Sequence, residues 1–164
     1  MELTPTSSDK NKESVWDYPR PPALEKVKQV IKVIFNDEII TESWNAKRVL
    51  ETSHPPVYYV PLEDIKPGAL RLAAGKSWCE WKGQASYYDV VVKDKTALKA
   101  AWFYPNPVNK YNLIKGHVAF YPSKMDGCYV GEEQVTVQEG DFYGGWITSN
   151  IVGPFKGGPG TASW

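Results

Sequence analysis

The chain has 164 residues, and its 19 Lys and Arg balance its 19 Asp and Glu, so the formal net charge is zero. A domain of about 150 residues can bury roughly 70% of the surface that its unfolded chain exposes, so this length suits one domain with tails. The balanced charge argues against nucleic acid or an anionic membrane surface as a partner.

Cysteine and histidine are both scarce. Cys79 and Cys128 are too few for a disulfide framework, and no close Cys or His pair with zinc-ligand spacing occurs, so we predict no metal site. An open site formed by His54 and a carboxylate is the alternative. No apolar run approaches the roughly 18 residues of a membrane span, and the first residues lack the pattern of a secretion signal. We expect a reduced, cytoplasmic protein that is a monomer or a homodimer.

Composition divides the chain into three segments. Residues 1–14 are polar, which predicts a disordered tail. Residues 15–138 form the predicted single β domain. It begins with the proline-rich residues 15–22, which favour an extended strap attached through Trp16 and Tyr18. Residues 139–164 combine seven glycines with large aromatic side chains, so we predict a C-terminal arm that packs on the domain or on a partner.

The hydrophobic segments of the domain are short and rich in β-branched residues. Residues 30–35 and 39–41 predict a hairpin with its turn at Asn36-Asp37. Residues 57–60 predict a strand that ends at Pro61, and residues 84–93 predict the longest strand. Further strands are predicted at residues 97–104, 117–121 and 134–138, a helical turn at 62–65, and either a helical turn or a strand at 46–51.

The richest chemistry lies in residues 48–61, Arg-Val-Leu-Glu-Thr-Ser-His-Pro-Pro-Val-Tyr-Tyr-Val-Pro. Two adjacent prolines exclude a helix through His54 and hold the backbone in an extended or bent course. Glu51 and His54 are therefore candidates for proton transfer, and Asp89 is a third. Cys79 lies three residues before Lys82, a cation that favours a reactive thiolate, although a small buried core residue is the alternative.

Aromatic residues lie on or beside most predicted strands, and alternation sends one member of each adjacent tyrosine pair to each face of its sheet. We predict a small-molecule cleft in which cations hold an anionic group, aromatic rings stack on a planar part, and Glu51 or His54 moves protons. The predicted ligand-binding residues are Arg48, Glu51, His54, Tyr58, Trp78, Lys82, Tyr88 and Trp102. The candidate catalytic residues are Glu51, His54, Cys79 and Asp89.

Other interpretations of the same residues stay open. Core packing explains many of the aromatic side chains without a ligand. The C-terminal arm alternatively makes the chain a protein-interaction or assembly module, and exposed Trp and Tyr side chains also suit sugar binding. No glycine-rich phosphate loop leads into a helix and no Asp-x-Asp motif occurs, so the sequence names no cofactor and no reaction.

Four motifs in order resemble one family. They are residues 48–61, Cys79 with Lys82-Gly83-x-Ala85-Ser86-Tyr87-Tyr88-Asp89, Ala101-Trp102-x-Tyr104-Pro105-x-Pro107, and Ala119-Phe120-Tyr121. Together they resemble the domain-of-unknown-function family numbered 427, over about residues 30–125. The resemblance implies a compact, mainly β domain of the Mss4-like kind and a nucleotidyltransferase-like label. We therefore expect small antiparallel sheets in a tent-like or partly open barrel.

Overall fold

A computed structural model describes residues 12–79, 81–138, 140, 143–157, 160–161 and 164. Within these residues the chain forms strands and short 3-10 helices. The strands are β1 (Glu13–Ser14), β2 (Ala23–Lys26), β3 (Ile31–Phe35), β4 (Glu38–Ser43), β5 (Lys47–Leu50), β6 (Val57–Pro61), β7 (Leu70–Cys79), β8 (Gly83–Val92), β9 (Lys95–Phe103), β10 (His117–Phe120), β11 (Gly127–Val130), β12 (Glu133–Gln134), β13 (Thr136–Val137), β14 (Trp146–Ile147) and β15 (Ile151–Val152). The 3-10 helices are Val15–Asp17, Leu62–Asp64, Asn109–Ile114 and Pro122–Lys124.

Two antiparallel sheets form the body of the molecule. The larger has seven strands in the order β2-β5-β6-β10-β9-β8-β7, and the smaller has four in the order β12-β11-β3-β4. The large sheet ends in two free edges, β2 and β7, and neither sheet closes into a barrel within the described residues. The prediction of a mainly β, open antiparallel fold is confirmed. No helix in the described part of the chain is both long and apolar enough to cross a bilayer.

Several elements follow directly from local sequence. The predicted hairpin is β3 and β4, and Asn36 and Asp37 at its turn have φ values of 51° and 64°. Two consecutive positive φ values are the geometry that lets a two-residue turn match the twist of its strands. The ambiguous residues 46–51 contain strand β5, and residues 62–65 contain the predicted helical turn as a 3-10 helix.

Strand β7 was not predicted, yet its ten residues equal β8 in length. Its sequence has no β-branched residue, and most of its side chains are exposed, so it carries no alternating pattern. It is an edge strand that pairs with β8 on one side only. Pairing with a strongly patterned neighbour, rather than its own propensity, therefore makes this segment extended.

Each face of the seven-stranded sheet carries a hydrophobic cluster. One face joins the four-stranded sheet in the main core, which includes Val33 of β3, Tyr58 and Val60 of β6, and Phe120 of β10. The other face carries a second, aromatic cluster that includes Tyr59. Because successive strand residues point in opposite directions, Tyr58 and Tyr59 belong to different cores. The second cluster positions the candidate site.

The segment that begins at Glu13 lies against the C-terminal arm. Strand β1 runs parallel to β15, and the Trp16 indole N–H donates to the Pro154 carbonyl at 2.8 Å. The Trp16 ring also lies edge-on to Trp164, with 5.3 Å between centroids. Of the predicted tail, residues 1–11 lie outside the described residues, whereas Glu13–Ser14 form a strand.

Candidate functional site

A cavity of about 560 Å³ opens on the sheet face that carries the aromatic cluster. Strands β5 to β9 and the segments between them form most of its wall. The strap contributes Arg20, and the C-terminal arm contributes Tyr143, Lys156 and Trp164. Nine of the 20 described lining residues are Tyr or Trp, so the wall is rich in aromatic side chains.

The floor of the cavity is a set of mutually packed rings. The Tyr59 centroid lies 6.4 Å from those of Trp102 and Tyr104, and Trp102 lies 4.5 Å from Tyr121. Tyr59, Trp102 and Tyr104 are all buried. These rings pair across the sheet from β6 and β9 and the segments that follow β9 and β10, so the sheet itself holds the floor rigid.

Phenol and thiol groups also face one another there. Burial raises the pKa of Tyr104, and its neighbours Tyr59 and Cys79 raise it further. Burial likewise raises the pKa of Tyr59, although contacts with Trp102 and Tyr104 partly oppose that effect. Both phenols are therefore neutral near pH 7 and keep O–H groups to donate. Cys79 is a free, half-buried thiol.

Lys82 is the most deeply buried cation of the cavity, at 7% exposed. It lies in the turn between β7 and β8, where its carbonyl accepts from the Val108 N–H at 2.9 Å. Its ammonium lies 5.8 Å from the centroid of the Tyr104 ring, which offers a cation–π contact. No carboxylate pairs with Lys82 among the described residues, of which Glu80 is not one.

The opposite side of the cavity is a turn held by the strap. Ser53 N–H donates to Val15 at 3.0 Å, and the Thr52 hydroxyl donates to Tyr18 at 2.5 Å. Arg20 donates to the Thr52 carbonyl at 2.9 Å, while its Nε lies 3.8 Å from a Glu51 carboxylate oxygen. The prolines of the strap and of residues 55–56 thus present Glu51 and the following histidine to the cavity.

The His54 ring is buried at 8% exposed. Its Nδ1 lies 2.9 Å from the Thr52 carbonyl and 4.0 Å from Glu51 Oε2, and its ring meets Tyr143 edge-on at 4.7 Å. Burial is the largest cause of a lowered His54 pKa; Lys156 lowers it as well, whereas Glu51 opposes the shift. His54 is therefore neutral near pH 7.

The C-terminal arm lines the cavity beside His54. The Lys156 backbone N–H donates to Ser53 at 2.7 Å, and its ammonium lies 5.5 Å from the Tyr143 centroid. The buried Gln138 side chain accepts from Gly145 at 3.1 Å and donates to the Lys156 carbonyl. One amide therefore ties two separate parts of the arm together beside the cavity.

Five of the eight predicted ligand-binding residues line this cavity, and three do not. Those inside are Glu51, His54, Trp78, Lys82 and Trp102. Trp78 is 74% exposed and lies at the rim.

Arg48, Tyr58 and Tyr88 lie outside because each points to the other face of its strand. Arg48 pairs with Glu25 at 2.5 Å and with Glu13 at 3.1 Å. Tyr58 stacks in the main core, and Tyr88 stacks on Phe103 with centroids 4.4 Å apart. Their strand neighbours Val49, Tyr59 and Tyr87 line the cavity instead.

Of the four catalytic candidates, Glu51, His54 and Cys79 line the cavity and Asp89 does not. Asp89 accepts from the Lys99 backbone N–H at 2.8 Å and from Arg71 at 3.1 Å. It lies where the pairing of β8 with β9 shifts register. Its bond to Lys99, with help from Arg71, lowers the pKa of Asp89, so this carboxylate stabilises an irregular strand pair.

Sequence reasoning missed Arg20, Tyr59, Tyr104 and Lys156 as lining residues. Tyr59 and Tyr104 could have been predicted from the sequence, since both belong to aromatic pairs on predicted strands. Arg20 and Lys156 carry no local signal, because they reach the cavity through the strap and the arm. Among the described residues no group of three or more His, Cys, Asp or Glu is placed to hold a metal ion.

An open, mainly antiparallel β domain with an aromatic cavity is the class that this geometry defines. The chain belongs to the family described as Domain of unknown function (DUF427), whose model matches residues 23–131. No curated protein matches the chain. The matched segment contains all strands of the seven-stranded sheet, whereas Arg20 and the arm residues of the cavity lie outside it.

Proposed function

We propose that this chain binds a small planar anion in the aromatic cavity. The observation that carries the proposal is Lys82, a buried cation in the cavity wall that has an aromatic ring but no carboxylate beside it in the described structure. A buried charge costs several kcal/mol unless it is paired, so an anionic ligand group would stabilise this arrangement.

The other lining groups support the same ligand class. Arg20 and Lys156 add two cationic side chains, both of which donate to a main-chain oxygen of Trp164, and Glu51 is the one acidic side chain among the described lining residues, so cationic side chains outnumber acidic ones in the cavity. Aromatic walls favour a flat ligand through stacking. The volume of about 560 Å³ lies within the roughly 300–1,000 Å³ that is typical of small-molecule sites.

The interaction-module interpretation gains less support. Trp146, one of the two described tryptophans of the arm, is 1% exposed and stacks on Tyr58 of the same chain. The described arm thus uses its aromatic surface within its own domain, which leaves little of it for a partner.

A pair of fluorescent probes tests the proposal. The probe 8-anilinonaphthalene-1-sulfonate carries an anionic sulfonate on a flat naphthalene ring, and N-phenyl-1-naphthylamine has the same rings without the sulfonate. We expect one saturable site for the anion and clearly weaker binding of the neutral amine. Near-UV circular dichroism recorded on the same samples verifies that the protein is folded, because partly folded proteins also bind such dyes.

The variant Lys82→Met keeps an unbranched side chain that is one atom shorter and removes the charge. A hydrogen bond to a charged group contributes about 1.5–3 kcal/mol, so we expect the sulfonate probe to bind roughly 10- to 100-fold more weakly. Lys95→Met is the matched control, since Lys95 is exposed on β9 away from the cavity. Equal probe affinity in wild type and Lys82→Met would refute the proposal.

A further inference from the structure

The two histidines of the chain differ in how many of their ring nitrogens have a hydrogen-bond partner. His117 has both ring nitrogens occupied, with Nδ1 3.1 Å from the Lys115 carbonyl and Nε2 3.0 Å from the Lys47 ammonium. His54 has a carbonyl at Nδ1 only, the oxygen of Thr52. In the described structure nothing forms a hydrogen bond with its Nε2.

This difference defines the tautomer of His54. A carbonyl oxygen can only accept, so the Nδ1 atom of His54 carries the hydrogen that the Thr52 carbonyl accepts at 2.9 Å. A neutral imidazole has one N–H, and Nε2 is then a bare acceptor. A buried acceptor without a partner costs about 1–3 kcal/mol, which makes it a feature that needs an explanation.

We infer that Nε2 of His54 accepts a hydrogen bond from the ligand, and that the ligand is therefore a planar anion whose ring also carries an O–H or N–H group. This inference rests on the proposed function and adds the second polar group of the ligand. Lys82 recognises the anionic end, and His54 recognises a proton donor elsewhere on the same flat molecule. Both residues line one cavity, from different segments of the chain.

Hydroxynaphthoates and their methyl ethers test the planar-anion site and the hydrogen bond to His54 separately. Each hydroxynaphthoate is planar, carries a carboxylate and has an O–H; its methyl ether keeps the ring and the carboxylate and loses the donor. A set with the hydroxyl at successive positions of the distal ring covers different spans between the two groups. Affinities are measured by isothermal titration calorimetry on the full chain.

We expect at least one isomer to bind wild type about five- to tenfold more tightly than its methyl ether, the ratio typical of one neutral hydrogen bond. In His54→Phe, which retains a ring against Tyr143 but has no acceptor, this preference should disappear. His117→Phe is the matched control. It also removes a histidine–carbonyl bond, but outside the cavity, and it should keep the preference.

Each outcome decides between the two proposals. If hydroxynaphthoates and ethers bind wild type equally well, the role of His54 is refuted and the planar-anion site stands. A preference that persists in His54→Phe also refutes that role, because another group then recognises the hydroxyl. If no naphthoate of either kind binds wild type, the planar-anion proposal itself is overturned, and the inference on His54 with it.

Discussion

Trp146 of the C-terminal arm stacks on Tyr58 of β6, with ring centroids 5.0 Å apart and an interplanar angle of 29°. The Trp146 indole N–H also donates to the Phe120 carbonyl at 3.1 Å. Both rings belong to the main core between the two sheets. Trp146 is therefore part of the main core.

This stacking predicts a large effect of Trp146→Ala. Replacing a fully buried Trp by Ala costs about 3–5 kcal/mol of unfolding free energy, because a cavity remains and packing contacts are lost. Urea unfolding monitored by circular dichroism measures the change. Trp44→Ala is the control: Trp44 is 67% exposed, so its loss should change stability by about 0.5 kcal/mol or less. Similar small effects of both substitutions would contradict the core position of the arm.

Gly144 should not tolerate a side chain. Its φ of +66° already disfavours other residues, and a Cβ atom there would overlap the Trp102 ring and crowd Tyr121. Gly116 has a similar φ of +76°, but open space surrounds its Cβ position.

Gly116→Ala should therefore cost only the backbone strain, about 1 kcal/mol, whereas Gly144→Ala adds a steric clash against the cavity floor. We expect the lower melting temperature for Gly144→Ala and also weaker binding of the naphthalene sulfonate probe. Equal melting temperatures would mean that the arm segment moves away from Trp102 without cost.

Two histidines make stability fall in mild acid. Burial lowers the pKa of both His54 and His117 below the ordinary 6.5. For each histidine, at a pH between its folded-state and its unfolded-state pKa, the unfolded chain binds more protons than the folded one. The free energy of unfolding therefore decreases as pH falls below about 6.5. Urea unfolding between about pH 7 and pH 5.5, above the range of most carboxylates, isolates this effect.

We expect the free energy of unfolding of wild type to decrease as the pH falls through this range. The slope of that free energy against pH should be smaller in His54→Phe and in His117→Phe, and it should nearly vanish when both histidines are replaced. A wild-type slope of zero in this range, or a slope that survives the double substitution, would show that other groups dominate the pH dependence.

The two thiols should react at different rates. Cys79 is half-buried at the cavity wall, whereas Cys128 is 2% exposed in the main core. We expect Ellman's reagent to modify one thiol in the native protein and two in denaturant, with Cys79→Ser abolishing the native reaction. Saturating naphthalene sulfonate should slow modification of Cys79. Two thiols that react equally fast in native wild type would contradict this arrangement.

Much of the fold could be predicted from local patterns. Asn36-Asp37 between β-branched runs defined one hairpin, and Pro61 ended β6 where expected. Strand β7 could not be predicted, because its extended course depends on pairing with β8 rather than on its own residues. Part of the site could also be predicted, because adjacent prolines exclude a helix through His54. The contacts from the strap and the arm that hold this turn in place could not.

The amino-acid sequence by itself determined that this chain is a mainly β domain, that residues 48–61 are non-helical, and that Tyr58 and Tyr59 lie on opposite faces of one strand. Only the tertiary structure decided which member of each pair faces the cavity, because alternation has a period of two residues but no absolute direction. Only the tertiary structure brought Arg20 and Lys156 to the same wall as Lys82. Their approach depends on contacts between segments far apart in the chain, and such contacts leave no local pattern.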